Sequence, residues 1–443
     1  ALPFAPTAAQ ERAMAEIARD MAAPRPMQRL LCGDVGSGKT AVAFGAAALV
    51  AAAGAASLMM VPTEVLAEQQ SRALAPLAAR LGLRLASLTG ATPTAARAVI
   101  VEDCRRGRVL LIGTQALLGV AAELSRLGLV IVDEQHRFGV AQRGALALSG
   151  AAGAAPHLLS MSATPIPRSL ALALHGDLDA SFLTGRPGGQ PPAPAIVCAD
   201  PSARTAAYAR LRDALAAGGQ GFVVCPVREA ARRPGAVTAI AQQARLARAL
   251  APARVGLLHG ALGPDAKEEA LRDFAEGRTD VLVATTVVEL GIDVPNATVM
   301  IVEEAERLGL AQLHQLRGRV GRGARPGICF LLASDGLPGE SPARRRLELV
   351  AALDDGYRLA EADLGARGFG ELWGTAQTGD GEGEGNPGLG PAALAELAEL
   401  TALARREAEA LLAGDPRLAD PAHAPLGRAA RARSATLFGG EAG

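Results

Sequence analysis

The chain is short of aromatic side chains, of lysine and of net charge, and each shortage excludes something. Aromatic residues make up 3% of the 443 positions, with one Trp and two Tyr. A surface that stacks successive bases on a run of rings is therefore excluded. Lys and Arg total 45 and are balanced by 45 Asp and Glu, so the formal net charge is zero. That excludes a globally basic binder and confines any nucleic-acid contact to local patches. Lys39 and Lys267 are the two lysines, and every other basic residue is arginine. With so much Ala and Gly this reads as coding bias, and arginine clusters alone carry little weight. The five cysteines (Cys32, Cys104, Cys198, Cys225, Cys329) are scattered, without a C-x-x-C spacing. A zinc site or disulfide framework is thereby disfavoured, and a reducing cytosol fits. No charged-then-apolar leader is present, nor a run of about 18 strongly apolar residues. The uncharged stretch Ala41–Met60 comes nearest, but Gly45, Gly54 and Ser57 interrupt it. It reads as a buried helix followed by a strand. The chain opens on Ala1-Leu2-Pro3 rather than Met, and reads as a processed chain or a piece of a longer one.

What is present is a globular composition, 49% hydrophobic and 20% charged, with length for two or three domains. Short apolar runs alternate with Ala/Leu-rich helical stretches. The first series of expected strands is 57–61, 109–113, 129–133 and 157–160. The second is 221–225, 255–258, 281–284, 299–302 and 327–332. The runs are continuous rather than alternating, as in strands covered on both faces, and βαβ units with parallel sheets follow. Between the series, residues 185–194 hold four Pro and three Gly, which marks a linker. The expected fold class is α/β: two tandem domains with parallel sheets, at 1–190 and 191–340. A mainly helical segment follows at 341–443. Within it, 379–391 reads as a loop and 392–413 as a helix stopped by Gly414.

Residues 33–40, Gly-Asp-Val-Gly-Ser-Gly-Lys-Thr, follow an apolar strand and precede an Ala-rich helix. That is the strand–loop–helix context of a phosphate-binding loop. Gly33, Asp34, Val35, Gly36, Ser37 and Gly38 would turn backbone N–H groups onto phosphate oxygens. Lys39 would hold the β- and γ-phosphates, and Thr40 would ligate Mg²⁺. Residues 129–136, Leu-Val-Ile-Val-Asp-Glu-Gln-His, deliver two carboxylates at a strand end. Asp133 would hold Mg²⁺, and Glu134 would orient or deprotonate an attacking water. ATP and Mg²⁺ are therefore the expected cofactors.

With these motifs in place the chain resembles the superfamily 2 helicases. Residues 61–64 (Val-Pro-Thr-Glu), 113–115 (Gly-Thr-Gln) and 162–168 (Ser-Ala-Thr-Pro-Ile-Pro-Arg) resemble motifs of their first domain. Residues 284–296 and 312–322 resemble motifs V and VI of their second. The wording is closest to RecG-type DNA helicases, including 364–371 and 374–379, which match that family's translocation motif. Small departures are Gln115, Phe369 and Pro6. The resemblance implies RecA-like domains sandwiching ATP, with Arg319 and Arg322 reaching across as arginine fingers. It implies nucleotide contacts from Gln10, Gly291 and Asp293, and coupling roles for Gln135, His136, Ser162, Ala163, Thr164 and Gln315. Thr63, Thr114, Thr285 and Thr286 would meet the DNA backbone, and Arg367 and Gln377 would serve translocation. The alternative for Arg317, Arg319 and Arg322 is a solvated basic face; for Arg367 and Gln377 it is an ion pair closing a loop.

The implied function is an ATP-dependent helicase and translocase on branched DNA such as stalled forks. The implied protein is a monomer in the bacterial cytoplasm at the nucleoid, without membrane contact. Single-strand-binding or fork proteins would be its partners. A transcription-repair coupling translocase is the nearest alternative, and a non-catalytic DNA-binding scaffold a more distant one. RecG-type proteins also carry an N-terminal wedge domain that these 443 residues do not resemble. Poor, unselective fork unwinding by these residues alone is the expectation.

Overall fold

The computed structural model describes residues 5–121, 123–124, 126–134, 155–163, 178–185, 187, 191–226, 237–285, 292–367 and 391–430, without the side chains of 363–367, 391–395 and 398. Its first sheet contains β1 (Gln28–Gly33), β2 (Ala56–Met60), β3 (Arg84–Leu88), β4 (Val109–Gly113), β5 (Leu127–Val132), β6 (His157–Ser162) and β7 (Asp179–Leu183). They lie in the order β3-β4-β2-β5-β6-β1-β7, parallel throughout. Helices α1 (Ala8–Met21), α2 (Lys39–Ala52), α3 (Glu64–Arg80), α4 (Thr94–Arg105) and α5 (Leu118–Ala121) accompany it.

The strands are apolar on both faces because both faces are covered. Met59 and Val61 enter one core with Leu129 and Ile131, while Leu58 and Met60 enter the other with Val130 and Val132. Each such side chain contributes about 1.5–3 kcal/mol over leaving it in water. The buried Arg29 on β1 is the exception. It pairs with Asp20 at 2.7 Å and Glu16 at 3.2 Å, and donates to Ser181 at 2.8 Å, which ties α1 to β1 and β7.

The second sheet contains β8 (Ala195–Cys198), β9 (Gln220–Val224), β10 (Val255–Leu258), β11 (Val281–Ala284), β12 (Ala297–Val302) and β13 (Ile328–Leu332). The order is β10-β11-β9-β12-β13-β8, again all parallel. Around it lie α6 (Pro201–Ala216), α7 (Ala239–Ala249), α8 (Pro264–Ala275) and α9 (Leu310–Arg317). Then come α10 (Pro342–Ala352), α11 (Gly356–Arg367) and α12 (Pro391–Gly414). α12 lies against β7: Arg405 pairs with Asp179 at 2.9 Å and donates to the Leu178 carbonyl at 3.1 Å. Among the described residues no helix is long and apolar enough to cross a membrane.

The expected strands all occur, with ends moved by one or two residues. Three strands were not expected: β3, β7 and β8, each at the edge of its sheet. An edge strand is paired on one side and partly solvated, so β3 and β7 carry polar residues; β8 reads Ala-Ile-Val-Cys and is apolar, but it starts directly on the Pro-rich stretch 185–194. β3 reads Arg-Leu-Ala-Ser-Leu and β7 reads Asp-Ala-Ser-Phe-Leu.

Candidate active site

The loop after β1 has the shape that its glycines allow. Gly36 and Gly38 take φ of 85° and 84°, a left-handed backbone that side chains disfavour. A Cβ at Gly38 would also stand 2.2 Å from the Gln10 amide nitrogen. Gln10 is fully buried, closes the capping box of α1 with Thr7, and donates to the Ser37 carbonyl at 2.9 Å. The start of α1 is thus bonded to the loop. Lys39 opens α2 with its Nζ folded back onto the carbonyls of Gly33 at 2.7 Å and Asp34 at 3.1 Å. Burial lowers its pKa, opposed by the carboxylates of Asp133, Glu134 and Asp34. The Thr40 hydroxyl lies 3.4 Å from the Gln70 amide of α3, and the Ser37 hydroxyl is buried without a hydrogen-bond partner among the described residues.

Asp133 and Glu134 follow β5, which pairs with β2 and β6. Burial, then the neighbouring Glu134, pushes the Asp133 pKa up to about 6, against the pull of Lys39 and Arg319. The Glu134 N–H donates to the Asp133 carboxylate at 3.0 Å. Glu134 is 7% exposed and sits at φ 53°, a left-handed conformation that costs a non-glycine residue about 1–3 kcal/mol. Ser162, at the end of β6, pairs in register with Cys32 beside the loop, and Ala163 is buried next to it.

The second lobe presents α9 and the turn after it. Gly318 meets the loop so closely that a Cβ there would lie 3.0 Å from the Cβ of Val35. Arg317 and Arg319 are buried, and Gln315 is 5% exposed. A solvated basic face therefore does not describe Arg317 or Arg319, whereas Arg322 is half-buried. Arg319 is near enough to act electrostatically on both Lys39 and Asp133. Arg322 bonds the Gly318 carbonyl at 2.9 Å and Asp293 at 3.3 Å, while its Nη2 is buried without a hydrogen-bond partner among the described residues. Asp293 also exchanges two hydrogen bonds of 3.0 Å with Gln69 of α3.

Thr63, Thr114 and Thr285 each follow the C-terminal end of a strand, the side where open α/β sheets bind ligands. Thr63 also caps α3, accepting from the Leu66 N–H at 3.2 Å. The next two N–H groups of that helix, at Glu64 and Val65, donate to the Glu268 carboxylate of α8 at 2.9 and 3.2 Å. Gln135, His136, Thr164, Thr286, Gly291 and Gln377 lie outside the described residues, as does the Arg367 side chain.

Among the groups that join the lobes here, sequence reasoning missed Gln69, Glu268 and His314. His314 did leave a signal. With Leu310, Leu313 and Arg317 it falls on the inward stripe of α9, where a polar residue needs a buried partner. Its Nε2 lies 3.2 Å from Asp34 of the loop.

Known proteins resemble the chain in both lobes. Residues 7–172 match the DEAD/DEAH box helicase family, and 206–324 match the helicase conserved C-terminal domain. The ATP-dependent DNA helicase RecG of Synechocystis sp. is 44% identical over 99% of this chain and 51% of its own length. That of Acidithiobacillus ferridurans is 48% identical over 85% of this chain and 54% of its own. A solved structure of RecG bound to a three-way DNA junction aligns with TM-score 0.74 and 39% identity, covering 90% of this chain and 51% of that one. The chain spans about half the length of the curated relatives it matches. A phosphate-binding loop and two strand-end carboxylates on one parallel-sheet lobe, with buried arginines on a second, stand within the two helicase-family matches, and across both lobes the chain is similar to about half of each RecG-type DNA helicase.

Proposed function

We propose that the chain is an ATP-hydrolysing motor that moves on DNA, with branched DNA as its substrate. The observation that carries this is the closeness of the lobes at the loop: Gly318 against Val35, with Arg319 acting on Lys39 and Asp133. In this reading the lobes divide at 190 and 340. Lys39 releases the two carbonyls it now holds and takes the β- and γ-phosphates, with the N–H groups of residues 34–38 around them. Gln10, fixed by Thr7, borders the base, and Asp293 the cleft's far side.

Thr40 and Asp133 suit Mg²⁺, which takes one or two carboxylates and leaves its other positions to phosphate and water. The elevated pKa of Asp133 marks buried carboxyl charge that a cation would neutralise. Bound there, the ion would offset charge on the β- and γ-phosphates. Glu134 orients water for in-line attack on the γ-phosphorus; the bond to the β–γ bridging oxygen breaks, and the water proton passes to Glu134 or to solvent. Arg319 and Arg322 stabilise charge on the transferred group; such fingers are worth about 10³–10⁵ in rate. The partnerless Nη2 of Arg322 supports this role.

Thr63, Thr114 and Thr285 contact DNA phosphates, which carry no sequence information. The RecG structure on a three-way junction supports branched DNA as the partner, and the bacterial relatives support a cytoplasmic place. The test measures ATP hydrolysis by these 443 residues with no DNA, a linear duplex and a three-way junction. Stimulation by DNA is expected, with little preference for the junction. Hydrolysis indifferent to DNA would refute the motor reading.

A further inference from the structure

The carboxylate of Asp34 sits within the nucleotide loop but is bonded away from it. Its Oδ1 lies 3.2 Å from His314 Nε2, on α9 of the second lobe. Its Oδ2 accepts from the Gly356 N–H at 3.1 Å, at the first residue of α11. Burial opposes its ionisation, but the bonds from His314 and Gly356 and the charge of Lys39 hold the Asp34 carboxyl below the usual range.

The contacts continue beyond His314, which is 2% exposed. Its Nδ1 lies 3.3 Å from Arg317 Nη2. Arg317 has no acceptor, so Nδ1 must accept, and the ring proton sits on Nε2, the nitrogen 3.2 Å from Asp34 Oδ1. Arg317 is fully buried; its Nη1 donates to the Val350 carbonyl of α10 at 2.8 Å and lies 3.6 Å from Asp354 in the turn before α11. Beside Gly356, Tyr357 meets the Phe182 ring edge-on at 5.9 Å, within a cluster that includes Leu30 and Cys32 of β1. The loop, α9 and the α10–α11 turn are therefore joined through Asp34.

We propose that His314 is a positioning residue for the nucleotide loop, linking Asp34 to Arg317 and through it to the α10–α11 turn. The proposal rests on the phosphate-loop reading above. Lys39 now holds the carbonyl of Asp34 itself, so its release toward a phosphate loosens the residue whose side chain His314 grips. Movement of the loop is thereby passed to α9 and the helical segment in one step. His314 touches neither phosphate nor DNA in this scheme; it acts through Asp34.

The test uses the whole chain and compares His314→Ala with His314→Gln, whose amide keeps an N–H donor near the place of Nε2. His314→Ala is expected to lower the kcat of DNA-stimulated ATP hydrolysis about tenfold, the loss of one close contact between a buried imidazole and a carboxylate. KM for ATP is expected to stay within about twofold. His314→Gln is expected to recover most of the rate. Asp34→Asn and the double variant complete a cycle: partners in one contact give a double variant no worse than the worse single. Unchanged kcat in His314→Ala, equal loss in Ala and Gln variants, or additive effects with Asp34→Asn would each overturn the proposal. Lys39→Ala, run beside them, separates the two levels: hydrolysis that survives it refutes the phosphate-loop reading instead.

Discussion

Replacing Asp133 by asparagine is expected to stabilise the fold near neutral pH while abolishing ATP hydrolysis. The reason lies in where β5 ends. Burial and the adjacent Glu134 raise the Asp133 pKa from 3.8 to about 6. Below its ordinary pKa the folded and unfolded chains both hold the proton, and the site imposes no penalty. As pH rises from about 4 to about 6 the unfolded chain releases its proton first, the folded chain binds more protons, and stability falls. Above about 6 the loss is complete. A shift of roughly two units corresponds to about 3 kcal/mol as an upper bound, and solvent at the partly exposed carboxylate reduces that to about 1–2 kcal/mol. Asparagine keeps the shape without the charge. Thermal unfolding followed by circular dichroism at pH 4 and pH 7.5, without nucleotide or Mg²⁺, is the assay. The two proteins are expected to melt together at pH 4 and to separate at pH 7.5. There the variant would melt higher by several degrees, at about 2–4 °C per kcal/mol for a lobe of this size. A variant that melts at or below the wild type at pH 7.5 would refute the reasoning, because Asp133 would then be paid for within the folded chain.

Lys39→Ala is expected to abolish hydrolysis and leave DNA affinity within about twofold, since Lys39 serves phosphates of the nucleotide; a turnover assay beside fluorescence anisotropy checks both. Arg322→Ala is expected to lower kcat more than it raises KM for ATP, as a group acting on transition-state charge does. Unchanged kcat in that variant would remove Arg322 from the chemistry. Glu268→Gln is expected to raise DNA affinity severalfold at low salt, because its carboxylate now occupies the two N–H groups at the start of α3 that a DNA phosphate would take beside Thr63. Weaker or unchanged binding would show that the phosphate goes elsewhere.

Much of the molecule can be read from local pattern. Central strands such as β4 and β11 are continuous apolar runs because helices cover both faces, and that requirement is written residue by residue. The loop at 33–40 is equally local: Gly36 and Gly38 are needed at their own φ, and Lys39 follows them by chain connectivity alone. Edge strands β3 and β7 escape such reading because half of their surface answers to water, and β8, though apolar, because it runs straight on from the Pro-rich stretch 185–194.

What the tertiary structure alone decided is which distant residues meet. Thr63 and Glu64 announce a helix start in sequence, but that the carboxylate of Glu268, 204 positions beyond Glu64, occupies the N–H groups of Glu64 and Val65 depends on how α8 lies across α3. Gln10 is close to the loop in sequence, yet its bond to Ser37 depends on α1 packing back over β1. Asp34 shows the division within one residue. Its backbone belongs to a motif legible at sight, while its side chain answers to His314 and Gly356, some 280 and 322 positions on. Backbone conformation and hydrophobic periodicity act over a few residues, so sequence states them directly. A hydrogen bond between lobes depends on the summed packing of every element between them, and no local pattern encodes that sum.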